Sequence, residues 1–322
     1  MKTLTASLAT LVVAAVSGFT QAQTPYLTIG TAGTAGALYP MGVSIAQTLS
    51  RHGEGVRASA EATGGSLDNL RKLQQGELEW GISSNEVAFQ AYHGEGLYEG
   101  REIDNLRSLF GTVASWTQVF AAADSDINSI EDFAGKRIGV GAPGSAGEQT
   151  AQMLIGQYGL SYDEINQEFM SDAEMASALQ DGHLDAFIVT HPLRSAPLLN
   201  LTTGFDAKLI PVDSEAFYET YPFFQKMEVP GNTYRNIDGP VTTPVTRIVM
   251  YTTTDAGFSD DEVYNLIKTM WENAGEWQGV HAAVTNSTTL EQALNGLDGV
   301  PLHPGAARFY EEQGFEITEA LR

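Results

Sequence analysis

Three short stretches of this chain join glycine to serine or threonine where a helical pattern begins, a combination suited to binding anions. They are Gly33-Thr34, Gly65-Ser66 and Gly144-Ser145-Ala146-Gly147. The first N–H groups of a helix have no intrahelical acceptor, and the helix dipole adds positive potential there. A carboxylate seated on such a turn therefore needs no buried cation. Each turn also offers a hydroxyl. Ser84, beyond a strand expected over 78–82, belongs to the same rim. Tyr39 stands next to the first turn and could wall a pocket. His191 follows a strand expected over 186–190 and could line a cleft. Type and spacing leave the bland alternatives open: plain strand–helix connections, ordinary helix packing for Tyr39, and a loop position for His191.

Other chemistries find weaker support. A hydrolase nucleophile elbow reads G-x-S-x-G, whereas Pro143 occupies the first glycine position before Ser145; capping and ligand hydrogen bonding are the simpler roles. An exported hydrolase using Ser145 stays as the rival reading. His52, His93, His183, His191, His281 and His303 form no zinc spacing such as H-E-x-x-H, and most are expected on the surface or in loops. The chain has no cysteine, which excludes disulfides, thiolate metal sites and a cysteine nucleophile. No cofactor and no metal are expected. A formal charge of −23 and a pI near 4.4 argue against nucleic acid as a partner. A hydrophobic content of 43% is that of a folded globular chain.

The elements that must position these residues follow one plan, used twice. Residues 137–141 read as a buried strand, followed by the turn 142–147. Ser145 and Glu148 stand in the S-x-x-E spacing of a capping box. Ala151, Leu154, Ile155 and Tyr158 then form an apolar helical stripe, and Gly159 stands where a C′ glycine closes a helix. Residues 26–29 read as a strand, 30–36 as a second glycine-rich turn, and Leu38, Met41, Ile45 and Leu49 as one helical face. The glycines of that turn do not fit G-x-G-x-x-G, so a dinucleotide site is not indicated. A strand over 56–62 follows, then a helix capped by Ser66 with Leu67, Leu70 and Leu73 on its apolar side. Leu73 to Ile82 and Leu179 to Ile188 both read L-Q-x-G-x-L-acid-x-x-I, each forty-odd residues after its glycine-rich turn. Two motifs in the same order point to two similarly wound α/β lobes.

Residues 106–123 and 243–251 are rich in β-branched, aromatic and small residues and read as strands crossing between the lobes. Two crossings make a hinge. The expected organisation is an export signal over 1–23, lobe I over 24–113 plus 251–322, and lobe II over 114–250. The signal rests on Lys2, a short apolar run over 4–16 and a cleavage triplet ending at Ala22. A helix carrying Val263, Leu266, Ile267, Met270 and Trp271 and a short one over 304–313 complete the pattern. Parallel α/β lobes bind ligands at the carboxyl ends of their strands, so two facing crevices on a double hinge form a clamshell.

The chain resembles the solute-binding subunits of tripartite ATP-independent periplasmic (TRAP) transporters, the TAXI family in particular. The resemblance is carried by 29–33 through 39–42, by Thr63-Gly64-Gly65-Ser66-Leu67-Asp68-Asn69-Leu70, by 135–145, by Asp181-Gly182-His183-Leu184-Asp185-Ala186-Phe187 and by Pro301-Leu302-His303-Pro304-Gly305-Ala306. It implies a two-lobed periplasmic-binding-protein fold of type II with no catalytic role. It further implies a periplasmic receptor that hands a small organic acid, such as glutamate or 2-oxoglutarate, to TRAP transporter membrane subunits driven by an ion gradient. A receptor that senses its ligand for a receptor kinase shares every one of these features. Two departures bear on the ligand: Ser83-Ser84-Asn85 where the family often has Gln-Ser-Asp, and Ala146 where glycine is usual. The dicarboxylate branch of these transporters clamps its ligand with an arginine; Arg194 and Arg247 are candidates for that role by elimination only.

Overall fold

The computed structural model describes residues 26–34, 37–143, 145–297 and 299–322; the expected export signal and Gly144 lie outside them. In chain order the elements are β1 (Tyr26–Gly30), α1 (Leu38–His52), β2 (Arg57–Glu61), α2 (Ser66–Gln74), β3 (Trp80–Ser84), α3 (Asn85–His93), β4 (Leu106–Ala122), β5 (Arg137–Gly141), α4 (Ala146–Gln157), β6 (Asn166–Phe169), α5 (Asp172–Gln180), β7 (Ala186–His191), α6 (Ala196–Gly204), β8 (Ala207–Leu209), α7 (Glu215–Thr220), β9 (Gln225–Val229), β10 (Val241–Thr253), α8 (Asp260–Glu272), α9 (Ala282–Ser287) and α10 (Pro304–Glu312). Among the described residues the strands form one sheet with the path β2-β1-β3-β10-β4-β7-β5-β6. β1, β2 and β3 are mutually parallel, as are β5, β6 and β7; β4 and β10 are long and antiparallel to their neighbours.

The register decides where a ligand could sit. β3 ends at Ser84, opposite Ile248 of β10. β7 ends at His191, opposite Trp116 of β4, which in turn faces Val245 of β10. β3 and β7 run in opposite directions, so their carboxyl ends face each other across the stretch from Val245 to Ile248. At about 3.3 Å per residue that is roughly 10 Å. Helices α2 and α3 begin on one side of this gap, and α4 and α5 on the other. The fold is therefore a two-lobed α/β clamshell with β4 and β10 as its double-strand hinge.

The core follows the same division. One apolar cluster gathers residues from 27–113 and 249–321, including Ile29, Met41, Leu70, Phe110, Met270 and Tyr310. Two others occupy opposite faces of the second half-sheet: Val119, Ala121, Ile138 and Ile188 on one, Phe120, Phe187 and Val189 on the other. That alternation is the period-two pattern of a strand buried on both faces.

The duplicated motif has a structural counterpart. Glu79 accepts the Thr28 N–H at 2.6 Å, and Asp185 accepts the Arg137 N–H at 2.8 Å. In each case the acid's own N–H returns to the same residue's carbonyl. Each acid thus ties the start of its strand to the neighbouring parallel strand. Gly30 and Gly139 lie one pleat further on, and a Cβ at either would meet the motif leucine, Leu78 at 2.3 Å or Leu184 at 2.9 Å.

Several expectations are corrected. The strand expected over 78–82 runs from Trp80 to Ser84, because pairing with β1 begins only at Trp80, opposite Ile29. Residues 106–122 form one continuous strand rather than several. Ser66 does not cap α2: Gly65 is the N-cap and Ser66 the first helical residue. Leu67 is 49% exposed, so the buried face of α2 consists of Asn69, Leu70 and Leu73. α4 ends at Gln157, leaving Tyr158 as its C-cap. His303, in the connection that enters α10, is buried and accepts the Gly305 N–H as that helix's N-cap.

Candidate functional site

On the β5–β7 side, the chain leaves β5 through Gly141, whose φ is +95°. A Cβ there would lie 3.1 Å from the Glu148 N atom and 3.3 Å from Ser145 Oγ, so only glycine lets α4 start this close to the strand. Ser145 is the N-cap of α4, as its spacing indicates: the Glu148 N–H donates to Ser145 Oγ at 3.1 Å. The first intrahelical bond runs from the Gln149 N–H to the Ser145 carbonyl. The Gly147 N–H therefore precedes the helical ladder, with the dipole's positive end behind it. Leu160 N–H to Ile155 O and Gly159 N–H to Gly156 O close the far end as a Schellman motif.

α5 starts beside α4. Its N-cap Ser171 forms a reciprocal capping box with Glu174. Ser145, Gly147, Ser171, Asp172, Val189 and Thr190 are among the residues around a cavity of about 370 Å³ at the carboxyl ends of β5 and β7. His191 is half-exposed at the end of β7, with Nε2 3.3 Å from Asp172 Oδ2 and a buried Nδ1 that has no partner among the described residues. Burial pushes the Asp172 carboxyl upward in pKa, and the neighbouring His191 opposes that. Asp172 escaped the sequence reading. Its signal was the Ser171-x-x-Glu174 spacing just after β6, another capping box at a strand's carboxyl end.

On the β1–β3 side, Gly65 takes φ +89° and ψ −149°, a region open essentially to glycine alone. Ser66 Oγ accepts the Ser84 N–H at 3.0 Å, so the two candidate residues are brought together as a rim. The turn's donors are partly engaged. Gly64 N–H donates to Asp68 Oδ2 at 3.1 Å, and Gly65 N–H to Thr63 Oγ1 at 3.2 Å. The N–H groups of Ser66, Leu67 and Asp68 still precede the first intrahelical bond, from Asn69 N–H to Gly65 O. Asn69, another residue the sequence reading passed over, is fully buried and donates to Thr31 O and Ile82 O, which locks β1, α2 and β3 together. Gly33 and Thr34 are exposed, and Tyr39 is half-buried in the first turn of α1.

The two arginines separate. Arg247 is 2% exposed, and its Nη1 donates to Thr112 O at 3.1 Å and Ser287 O at 2.9 Å. Burial without an anionic partner lowers its pKa to about 10. It is a hinge strut that also holds the C-terminal end of α9, which removes it as a ligand clamp. Arg194 lies exposed on the loop leaving β7, with φ +61°, and makes no ion pair among the described residues. Asn85, first residue of α3, accepts the Arg247 N–H and donates to Phe223 O at 2.6 Å, tying α3 to β10 and to the chain entering β9. Among the described residues no histidine is hydrogen-bonded to Ser145 Oγ. A larger hollow of about 630 Å³ lies between 52–56 and α8, at the amino end of β2, and is lined by Glu54, Glu262 and Glu272. Its three carboxylates, which outnumber Lys268, and its place away from the carboxyl ends of the strands make it the poorer anion site.

Residues 29–314 match the family model described as NMT1-like family. Solved structures share the fold at low identity. The Xanthomonas citri protein XAC2383, bound to ATP, aligns over 89% of this chain and 94% of its own, with 15% identity and a TM-score of 0.54. A TctC solute binding protein from Polaromonas, solved with no ligand, aligns over 81% and 86%, with 14% identity and a TM-score of 0.53. The periplasmic sulfonate-binding protein SsuA from Methylobacillus flagellatus KT aligns over 92% and 90%, with 14% identity and a TM-score of 0.51. All three are similar to this chain in fold, that of periplasmic solute-binding proteins.

Proposed function

This chain belongs to the NMT1-like family, and we propose that it is an exported solute receptor whose two lobes close on a small organic anion. The observation that carries the reading is the opposed register of β3 and β7, which sets the helix starts of both lobes around one gap. Lobe I comprises 24–113 plus 251–322 and lobe II 114–250, with β4 and β10 flexing between them. The ligand's acid group is held at Ser145 and Gly147, with Gly144 and Ala146 as further contacts expected from the sequence. Gly33, Thr34, Gly65, Ser66 and Ser84 supply the opposing wall, Tyr39 its aromatic edge, and His191 the floor. Glutamate, 2-oxoglutarate or a similar carboxylate is the ligand class. The partners are the ion-driven membrane subunits of a TRAP transporter of the TAXI type, and the compartment is the periplasm, reached by cleavage near Ala22. The family match and the carboxyl-end cavity support this reading over the hydrolase.

Ser145→Asp tests it. Aspartate caps a helix as well as serine does, so the fold should persist, but a carboxylate would occupy the anion's place. Calorimetry should show at least a tenfold loss of affinity for whichever of glutamate and 2-oxoglutarate the wild type binds. Unchanged affinity would remove the α4 cradle.

A further inference from the structure

The cavity at the carboxyl ends of β5 and β7 has two walls of opposite polarity. One is the start of α4, with the Ser145 hydroxyl and the Gly147 N–H, a wall that donates hydrogen bonds. The other is Asp172, the first residue of α5, an acceptor. Among the described residues no lysine or arginine lines the cavity. The Ser171 hydroxyl is already committed to Glu174, at 2.6 Å. Asp172 Oδ2 lies 3.3 Å from His191 Nε2, while Oδ1 has no hydrogen-bond partner among the described residues. The Asp172 side chain is 37% exposed, so a solute can reach it.

A simple anion entering this space would meet a carboxylate at close range in a partly dry cleft, where like charges repel strongly. We propose that Asp172, oriented by His191, is a donor-reading subsite that takes an ammonium group, so that the preferred solute carries an amine beside its acid group. This deepens the receptor reading and rests on it. A zwitterion satisfies both walls at once: its acid group lies on the α4 start and its ammonium on Asp172 Oδ1. An oxo acid of the same skeleton leaves Asp172 unpaired and faces it with a carbonyl oxygen. His191 serves as a positioning residue. Its Nε2 lies 3.3 Å from one carboxylate oxygen, on the side away from the one left to the ligand.

The test is calorimetry of the full chain with L-glutamate, 2-oxoglutarate and glutarate as probes. Wild type should bind glutamate at least roughly tenfold more tightly than either amine-free acid, the scale of a charge-assisted hydrogen bond. Asp172→Asn should bring the three within about threefold of one another, chiefly by weakening glutamate. Asp172→Ser serves as a second variant, because serine is also accepted at a helix start, and melting curves of both report folding. Wild type preferring 2-oxoglutarate or glutarate, or Asp172→Asn weakening all three alike, overturns the donor subsite and leaves the receptor standing. Binding of none of the three by wild type overturns the receptor reading for this ligand class and the subsite with it.

Discussion

Glu86 is the most buried acid described, 2% exposed in the first turn of α3, with one carboxyl oxygen lacking any partner. Desolvation pushes its pKa from 4.5 up to about 7. The folded protein therefore keeps this proton at pH values where the unfolded chain has lost it. Stability is highest below about pH 4.5 as far as this group is concerned, and it is lost as pH rises through 7. The full penalty is about 3 kcal/mol. Glu86→Gln should melt close to wild type at pH 5 and several degrees above it at pH 8; parallel melting profiles at the two values would show that the carboxyl is not neutral in the fold. Single residues of this kind were the least legible part of the chain. Asn69 drew no notice, Asn85 entered only as part of a ligand-facing departure and Arg247 as a candidate clamp, because the carbonyls they serve, Thr31 O, Phe223 O and Thr112 O, lie 38, 138 and 135 residues away. Ser145 was legible because its partner is three residues away.

At the scale of elements, the two half-sheets are built on one device, with an acid pinning neighbouring strands and a glycine admitting the motif leucine. The equivalence makes a quantitative expectation. At Gly139 a Cβ would meet Phe187 Cβ at 2.9 Å, an atom fixed to the β7 backbone, besides the side-chain atoms Met175 Sδ and Leu184 Cδ1. At Gly30 it would meet Leu78 Cδ1 and Asn69 Oδ1, the far ends of side chains. Gly139→Ala should lower unfolding free energy by about 1–3 kcal/mol in urea titrations, and Gly30→Ala by less. The reverse order would contradict the packing described. Strand–turn–helix order was legible because glycine punctuation and hydrophobic period are local signals. The Ser66 capping expectation failed because serine and glycine are both accepted N-caps. Only the backbone angles of Gly65 decide between them, and composition does not record those. The strand boundary at 78–82 slipped because Leu78, though buried, lies before the first strand pair at Trp80.

At the scale of the molecule, β4 and β10 are the two elements shared by both halves of the core, and Arg247, Thr112 and Asn85 brace them where they cross. The aromatic group Phe217, Tyr221, Phe223 and Phe224 reaches across to Phe89 of α3, with Phe89 and Phe223 centroids 5.3 Å apart. Such a contact packs one side of the hinge against α3. The clamshell was legible from the duplicated motif and the two β-rich crossings. The opposition of the strand ends was not, since it depends on register between residues 75 to 164 positions apart. Hydrogen exchange tests the central claim most directly, measured with and without a saturating carboxylate probe, L-glutamate or 2-oxoglutarate. A ligand shared between the lobes should slow exchange at both rims together, at 64–68 and 84–86 on one side and at 145–148 and 171–173 on the other. Protection confined to one rim, or centred on the hollow beside α8, would contradict a site closed between the two lobes.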